Sequence, residues 1–450
     1  MNRREFVAVG AAAALSPRLL HAGFSRAERP RPTPAQLEWQ RDELALFLHF
    51  GVNTFTDREW GDGKEDPKIF NPERLDARQW ARAANAGGFR TMLLTAKHHD
   101  GFCLWPTQTT THSVASSPWR GGQGDVLREL VDACRAESLK VGVYLSPWDR
   151  NAPVYGDSPR YNDFYIAQLT ELLTRYGPIS EVWFDGANGE GPNGKRQTYD
   201  WPRVWGTVRK LQPNAVMFSD AGPDVRWIGN ERGVAGTTNW STVDPAVVPF
   251  PGATGDAVMR MLQQGDPNGS AWRPGETDVS IRPGWFHHAA EDARVKSVDD
   301  LAGLYFTSVG RNSKLLLNVP PTRAGLLNDV DVARLTEMRS RLDSLFSKDL
   351  MAGARGSWLL DDKSGVLDID LGVPRRFSIA DFREDITHGQ RIASYVLERE
   401  RDGAWQTVCE GTTIGFRKLD RFDPIEARRL RLTIRDAVDT PNQVRLSLFT

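Results

Sequence analysis

The sequence predicts an α/β chain in two parts: a (β/α)8 TIM-like barrel, then a C-terminal antiparallel β-sandwich. Three observations carry this reading. Short apolar runs alternate with amphipathic helical patterns through residues 31–347, as strand and helix do in a parallel barrel. Polar residues gather at the C-terminal ends of those runs, where such barrels carry chemistry. After Ser347 the texture changes to strict two-residue alternation, as in Leu367-Asp368-Ile369-Asp370-Leu371 and Leu430-Arg431-Leu432-Thr433-Ile434, with turn pairs such as Asp402-Gly403 between segments. That is the pattern of an antiparallel sandwich. The expected division is 1–30, 31–347 and 348–450. A doubly wound sheet would gather its polar ends at one switch point, often with a Gly-rich phosphate loop, and no such loop is visible. No fixed-period repeat is visible either, which excludes a solenoid.

The elements follow in order. Leu44-Ala45-Leu46-Phe47-Leu48 is a first strand running into His49-Phe50-Gly51. Residues 76–88 form a helix, with Asp76 as cap, Trp80 and Ala84 on one face and Gly87-Gly88 as the stop. Residues 90–99 are the second strand, which ends in Lys97-His98-His99-Asp100-Gly101-Phe102. A helix from Asp125 carries Leu127, Leu130, Val131 and Cys134 on one face. The third strand, Val141-Gly142-Val143-Tyr144-Leu145, follows. Ser158-Pro159 opens a helix that Gly177-Pro178 closes. Val182-Trp183-Phe184-Asp185 is a fourth strand, residues 201–211 a helix, and Ala215-Val216-Met217-Phe218 a fifth strand. Residues 225–231 are expected as the sixth strand, 232–276 as loop, and Val279-Ser280-Ile281 as the seventh strand, leading to Trp285. A helix over 298–309, the eighth strand Lys314-Leu315-Leu316-Leu317-Asn318-Val319 and a helix over 329–346 complete the barrel.

Composition narrows the function. A formal net charge of -1 gives no bulk electrostatic case for nucleic acid or an anionic membrane. The three cysteines, Cys103, Cys134 and Cys409, are neither a disulfide framework nor a zinc motif. Thirteen of the 15 tryptophans lie between Trp39 and Trp285. Indole faces stack on the C–H faces of sugars, which gives weight to a carbohydrate substrate; core packing accounts for them equally. At the N-terminus, Asn2-Arg3-Arg4-Glu5-Phe6 precedes an alanine-rich apolar run over residues 7–15. That is the layout of a secretory signal with twin-arginine character, too short for a membrane span. The mature start is expected between residues 22 and 31, and the protein is expected to be periplasmic or secreted.

Two carboxylates stand out. Asp185 ends an aromatic strand, where a desolvated carboxylate is costly unless functional or paired; helix capping or an arginine partner is the plain alternative. Glu231 ends the sixth run, with a salt bridge to Arg226 or Arg232 as its alternative. Carboxylates on two strand ends of one barrel suit glycoside cleavage, in which one attacks or activates water and the other protonates the leaving oxygen. Neighbouring tryptophans would raise the acid's pKa by desolvation. Adjacent strand residues face opposite sides, so His98 and His99 are expected to hydrogen-bond a polyol rather than share a metal. No metal or cofactor is expected.

The series His49-Phe50-Gly51, Glu59-Trp60, Lys97-His98-His99-Asp100-Gly101-Phe102, Trp183-Phe184-Asp185-Gly186 and residues 227–231 resembles alpha-L-fucosidase of glycoside hydrolase family 29. The resemblance covers about residues 35–345. It implies a retaining exo-glycosidase acting on a fucosylated glycan, with Asp185 in the nucleophile's place. It also implies that His49, Glu59, Trp60, His98, His99, Tyr144 and Trp285 surround the terminal fucose. Glu231 looks like the acid/base of the subgroup preferring alpha-1,3 and alpha-1,4 linkages, with Asp220 as the substitute acid if Glu231 is not. A related alpha-L-galactosidase, a non-catalytic fucose-binding protein and a metal-dependent hydrolase stand as the competing readings.

Overall fold

The computed structural model describes residues 28–450. Of the expected export segment, residues 1–30, positions 1–27 lie outside the described residues. The barrel strands are β1 Leu44–Leu48, β2 Thr91–Lys97, β3 Lys140–Leu145, β4 Glu181–Trp183, β5 Val216–Phe218, β6 Arg226–Trp227, β7 Gly275–Ser280 and β8 Ser313–Asn318. They form one eight-stranded parallel sheet in the order β5-β4-β3-β2-β1-β8-β7-β6. A single parallel bridge from Phe218 to Val225 nearly closes the ring.

Side-chain alternation explains why the strands read as unbroken apolar runs. In β1, Leu44, Leu46 and Leu48 pack outward in the large helix-facing core, while Ala45 and Phe47 join the smaller cluster inside the barrel with Leu93, Tyr144, Trp183 and Leu316. A strand buried on both faces has no polar side to show. Surrounding helices include α1 Pro34–Asp42, α2 Ala77–Ala86, α3 Val126–Ala136, α4 Ser158–Arg175, α5 Trp201–Leu211, α6 Asp256–Gln264, α7 Val298–Thr307 and α8 Asp329–Leu345. The Asp76 carboxylate caps α2 by accepting from the Arg78 and Gln79 N–H groups. Trp80 on that helix is fully buried; truncating such a residue to alanine costs about 3–5 kcal/mol.

The structure corrects the sixth-to-seventh region. Only Arg226–Trp227 pairs as β6, because the chain leaves the sheet at Gly229, where φ is +83°. Residues 232–276 are not a plain loop. They contain α6, whose Val258 and Leu262 are buried, and a two-stranded antiparallel pair, Thr242–Val243 with Ala271–Trp272. Strand β7 begins at Gly275 rather than Val279. Its Glu276, Thr277 and Asp278 are buried, so a polar sequence hides a core strand. No helix separates β5 from β6.

The C-terminal strands are β9 Arg355–Leu360, β10 Gly365–Glu384, β11 Ile392–Arg401, β12 Ala404–Gly411, β13 Lys418–Ala437 and β14 Val444–Phe449. They are antiparallel in the order β9-β10-β13-β11-β12, with β14 on β10. The long strands β10 and β13 shift register near Asp370 and Phe377 and fold over a separate core that includes Phe377, Tyr395, Leu430 and Leu432. Arg417 joins this sandwich to the barrel, reaching Glu43 at 2.9 Å and Asp381 at 2.8 Å.

Candidate active site

The Lys97–Phe102 string divides its residues between two tasks. Lys97 is wholly buried on the helix side, with Nζ 2.9 Å from both Asp149 Oδ2 and Gln168 Oε1 and close to the Tyr161, Phe164 and Tyr165 rings. Asp100 folds back, its Oδ1 accepting from the Phe102 N–H at 2.7 Å. Gly101 takes φ of +83°, and a Cβ there would lie 2.4 Å from Asp149 Oδ1, so no larger side chain fits without displacing that carboxylate. Strand β2 ends at Lys97. His98 and His99 therefore escape the two-face rule expected of them: their ring centroids lie 4.1 Å apart. Both line one cavity of about 540 Å³ at the C-terminal mouth of the barrel.

That cavity brings most of the expected residues together. His49, Trp60, His98, His99, Tyr144, Asp185, Glu231 and Trp285 all line it, as do Asp220, Trp227 and Asp278. The exception is Glu59, whose carboxylate is spent on the backbone behind the site. Its Oε2 accepts from the Trp285 N–H at 2.7 Å, and its Oε1 accepts from the Phe286 N–H at 3.1 Å and lies 2.7 Å from His288 Nε2. Trp60 is exposed and stands edge-on to His99 and Trp148, each at 5.7 Å, as a wall of the entrance.

Asp185 follows β4 on the interior face, two residues beyond Trp183 and four beyond Glu181. Its Oδ1 accepts from the Ala187 N–H at 2.7 Å and its Oδ2 from the Tyr144 hydroxyl at 3.0 Å. His99 Nε2 is 3.9 Å from Oδ2. The side chain keeps 27% of its surface open, enough for a small molecule to reach an oxygen that its hydrogen bonds already aim. The arginine partner weighed for it does not appear among the ion pairs of the described residues, and Arg226 is turned away from Glu231, bonding Leu262 O at 2.9 Å and Asn239 Oδ1 at 2.7 Å.

Hydrogen bonds fix the proton on His99. The Ser146 hydroxyl donates to the Trp148 carbonyl at 2.7 Å, and a carbonyl can only accept. The Ser146 oxygen therefore receives a proton from His99 Nδ1, 2.7 Å away, which leaves Nε2 bare toward Asp185. Burial lowers the His99 pKa, against the pull of Asp185. Burial pushes His98 well down, with His99 and His49 adding to the effect, and lowers His49 to about 3. All three imidazoles are thus neutral near pH 7, able to donate and accept toward a polyol.

The other carboxyls are held toward their neutral forms. Glu231 sits exposed at the rim, yet desolvation of its carboxyl raises its pKa; nearby Trp285 opposes this and the Asp185 charge adds to it. Asp220 is pushed up to about 6, mainly by burial, while its Oδ2 accepts from the Gly252 N–H at 2.9 Å. Asp278, which accepts from Trp227 Nε1 at 2.8 Å, is raised well above the carboxylate range by burial and the nearby Glu231. One half-buried, hydrogen-bonded carboxyl group within reach of the cavity, beside acids of raised pKa, suits acid–base chemistry. Among the described residues, no group of three or more His, Cys, Asp or Glu side chains is arranged to hold a metal ion.

The family model described as alpha-L-fucosidase matches residues 36–344. The chain belongs to the alpha-L-fucosidase family. It is 46% identical over 449 residues to an Oryza sativa subsp. japonica protein provisionally named alpha-L-fucosidase 1, covering 94% of this chain and 85% of that one. It is 44% identical over 450 residues to alpha-L-fucosidase 1 of Arabidopsis thaliana, covering 93% and 87%. A family 29 fucosidase of Ruminococcus gnavus, solved in complex with fucose, superposes with a TM-score of 0.84 at 31% identity, covering 95% of this chain and 97% of that one. This fucosidase-family chain is therefore a glycoside hydrolase. No helix among the described residues is long and apolar enough to cross a membrane.

Sequence reasoning did not single out Asp278 or Asn318, and it named Asp220 only as a substitute. Asp278 lies in the strand whose polarity concealed it. Asn318 ends an apolar strand in the same way as His49 and could have been found by the same rule.

Proposed function

We propose that the protein is an exported, exo-acting, retaining alpha-L-fucosidase that prefers alpha-1,3- and alpha-1,4-linked terminal fucose. The observation that carries the reading is the meeting of Asp185 and Glu231 in one aromatic-walled, histidine-rich cavity. In the reaction, an Asp185 oxygen attacks the anomeric carbon while Glu231 gives its proton to the departing glycosidic oxygen. A covalent fucosyl ester forms as the glycosidic bond breaks. Glu231, now ionised, takes a proton from water, and the water oxygen displaces Asp185. Tyr144 steadies the nucleophile, and the raised pKa of Glu231 favours the proton it has to give. The three histidines take sugar hydroxyls, and Trp285 packs against the apolar edge of the sugar, including its methyl. Glu59 acts through the Trp285 backbone. Fucose in the R. gnavus relative supports the choice of sugar, and the basic-then-apolar N-terminus supports export.

The test is a panel of fucosylated oligosaccharides with 1,2, 1,3, 1,4 and 1,6 linkages, scored by released fucose. Release confined to the 1,3 and 1,4 members is expected. Release from 1,2 or 1,6 linkages alone would overturn the linkage preference. Faster release of L-galactose than of L-fucose from matched aryl glycosides would replace the sugar.

A further inference from the structure

Asn318 lies at the end of β8, on the barrel's interior face, and is completely buried. Its side-chain amide makes four bonds. Nδ2 donates to the Trp285 carbonyl at 2.8 Å and to Ser280 Oγ at 2.9 Å. Oδ1 accepts from the His49 N–H at 3.2 Å and stands 2.8 Å from His49 Nδ1. Because a peptide carbonyl can only accept, the NH2 end of the amide must face Trp285, and the oxygen must face His49. An oxygen without a proton forces His49 Nδ1 to carry one. The neutral ring therefore has a bare Nε2, on a side chain that lines the cavity.

The same amide also reaches the acid. Trp285 is gripped at its N–H by Glu59 and at its carbonyl by Asn318. Trp285 and Glu231 line the same cavity, and the Trp285 ring lies 5.0 Å from that of His49.

We propose that Asn318 is a positioning residue that locks His49 in the Nδ1–H tautomer, so that Nε2 accepts a proton from a sugar hydroxyl, and that it holds Trp285 in register with Glu231. The proposal rests on the reading of this cavity as the fucose site. It gives one specificity consequence: a sugar lacking the hydroxyl that meets His49 leaves a buried acceptor unpaired and is rejected. The titratable groups facing His49 are His98, at 5.6 Å between rings, His99 on the same loop and Tyr144 at 6.2 Å. None of them supplies a negative charge at neutral pH, so nothing native competes with Asn318 for control of the ring.

Asn318→Asp tests this with almost no change of size: one carboxylate oxygen still faces His49, while the other replaces the donor to the Trp285 carbonyl, a loss shared with Asn318→Ala at every pH. The new carboxylate favours the imidazolium, which puts a proton on Nε2 where the sugar must donate. The ratio of variant to wild-type kcat/KM on an aryl fucoside should drop about 10- to 100-fold at pH 6, as when a partner that orients an imidazole is lost. It should climb as rising pH removes that proton. Asn318→Ala should be slow at every pH, with a flat ratio. A flat ratio near one for Asn318→Asp would overturn the proposal. Long-range proton–nitrogen correlation on the wild-type protein, with His49 assigned by a His49→Gln variant, reads the tautomer without any substitution at Asn318. Nδ1–H is expected, and Nε2–H would overturn the proposal even if the Asn318 variants failed to fold. Absence of fucose release by wild type would instead remove the functional reading and leave the tautomer result standing.

Discussion

The two ends of the barrel interior use the same residue types differently. Toward the N-terminal end, Glu181, Glu276 and Lys314 occupy one layer, with Glu276 and Lys314 register partners across β7 and β8. Glu181 accepts from the Trp39 indole at 3.0 Å and lies 3.6 Å from Lys314 Nζ, which sits over the Trp39 ring. Glu276 accepts from the Trp183 indole at 3.0 Å; burial, with Glu181 adjacent, pushes its carboxyl well up. All three are sealed from solvent. Two side chains further along the same interior faces come Asp185, which lines the open cavity, and Ser280 and Asn318, which lie buried and bonded to each other at 2.9 Å. Buried charge alone does not mark a catalytic centre. The lower layer is closed to any guest, while the upper one leaves bare nitrogens and a reachable carboxylate.

Substitutions at the two ends should therefore separate activity from stability. The largest effect belongs to Asp185→Ala. Fucoside turnover should fall on the order of 10⁴-fold or more, with the unfolding midpoint little changed and binding of free fucose kept, as checked by calorimetry. Next, Glu231→Ala should lose about 10²- to 10⁴-fold on natural glycosides and regain rate with azide, which needs no general base. If Asp220 were the acid, azide would rescue Asp220→Ala instead. The raised Glu231 pKa has a definite sign: the acid must hold its proton, so wild-type kcat/KM should decline as pH rises through that pKa.

At the lower end, Glu181→Ala should cost about 3–5 kcal/mol in denaturant unfolding by stranding the buried Lys314 ammonium. KM of the folded enzyme should stay put. A lost KM with unchanged stability would reverse the comparison. The smallest effect is at Asp100, whose pKa burial pushes up to about 7. With the folded value above the unfolded one, the native state binds the extra proton, and that advantage is lost as pH climbs toward 7 and beyond. Asp100→Asn should match wild type in thermal unfolding near pH 4 and exceed it at pH 8.

Strands β1 to β5 and β8 were legible because a strand buried on both faces writes a continuous apolar run, and His49, Tyr144 and Asp185 stood out at the ends of such runs. The first four residues of strand β7 were not, since Glu276 and Asp278 face a barrel interior that carries charge, and nothing local distinguishes that from a solvent-facing strand. Helix α6 was hidden inside a Gly- and Pro-rich stretch, where only Val258 and Leu262 mark its buried face. The partition of Lys97 from His98 and His99 depends on where β2 stops, which periodicity does not specify to one residue. Glu59 was visible as a polar group beside Trp60, but its grip on the Trp285 backbone spans 226 positions of sequence and leaves no local trace.

In the proposed reaction Asp185 becomes covalently bonded to the sugar. A 2-deoxy-2-fluoro fucosyl fluoride, whose electron-poor ring slows both displacements while its good leaving group restores the rate of the first alone, should trap that ester. Peptide mass spectrometry should then place one fluorofucosyl group on Asp185. A label on another carboxylate, or unlabelled enzyme that turns the reagent over at full rate with inverted product, would contradict the account.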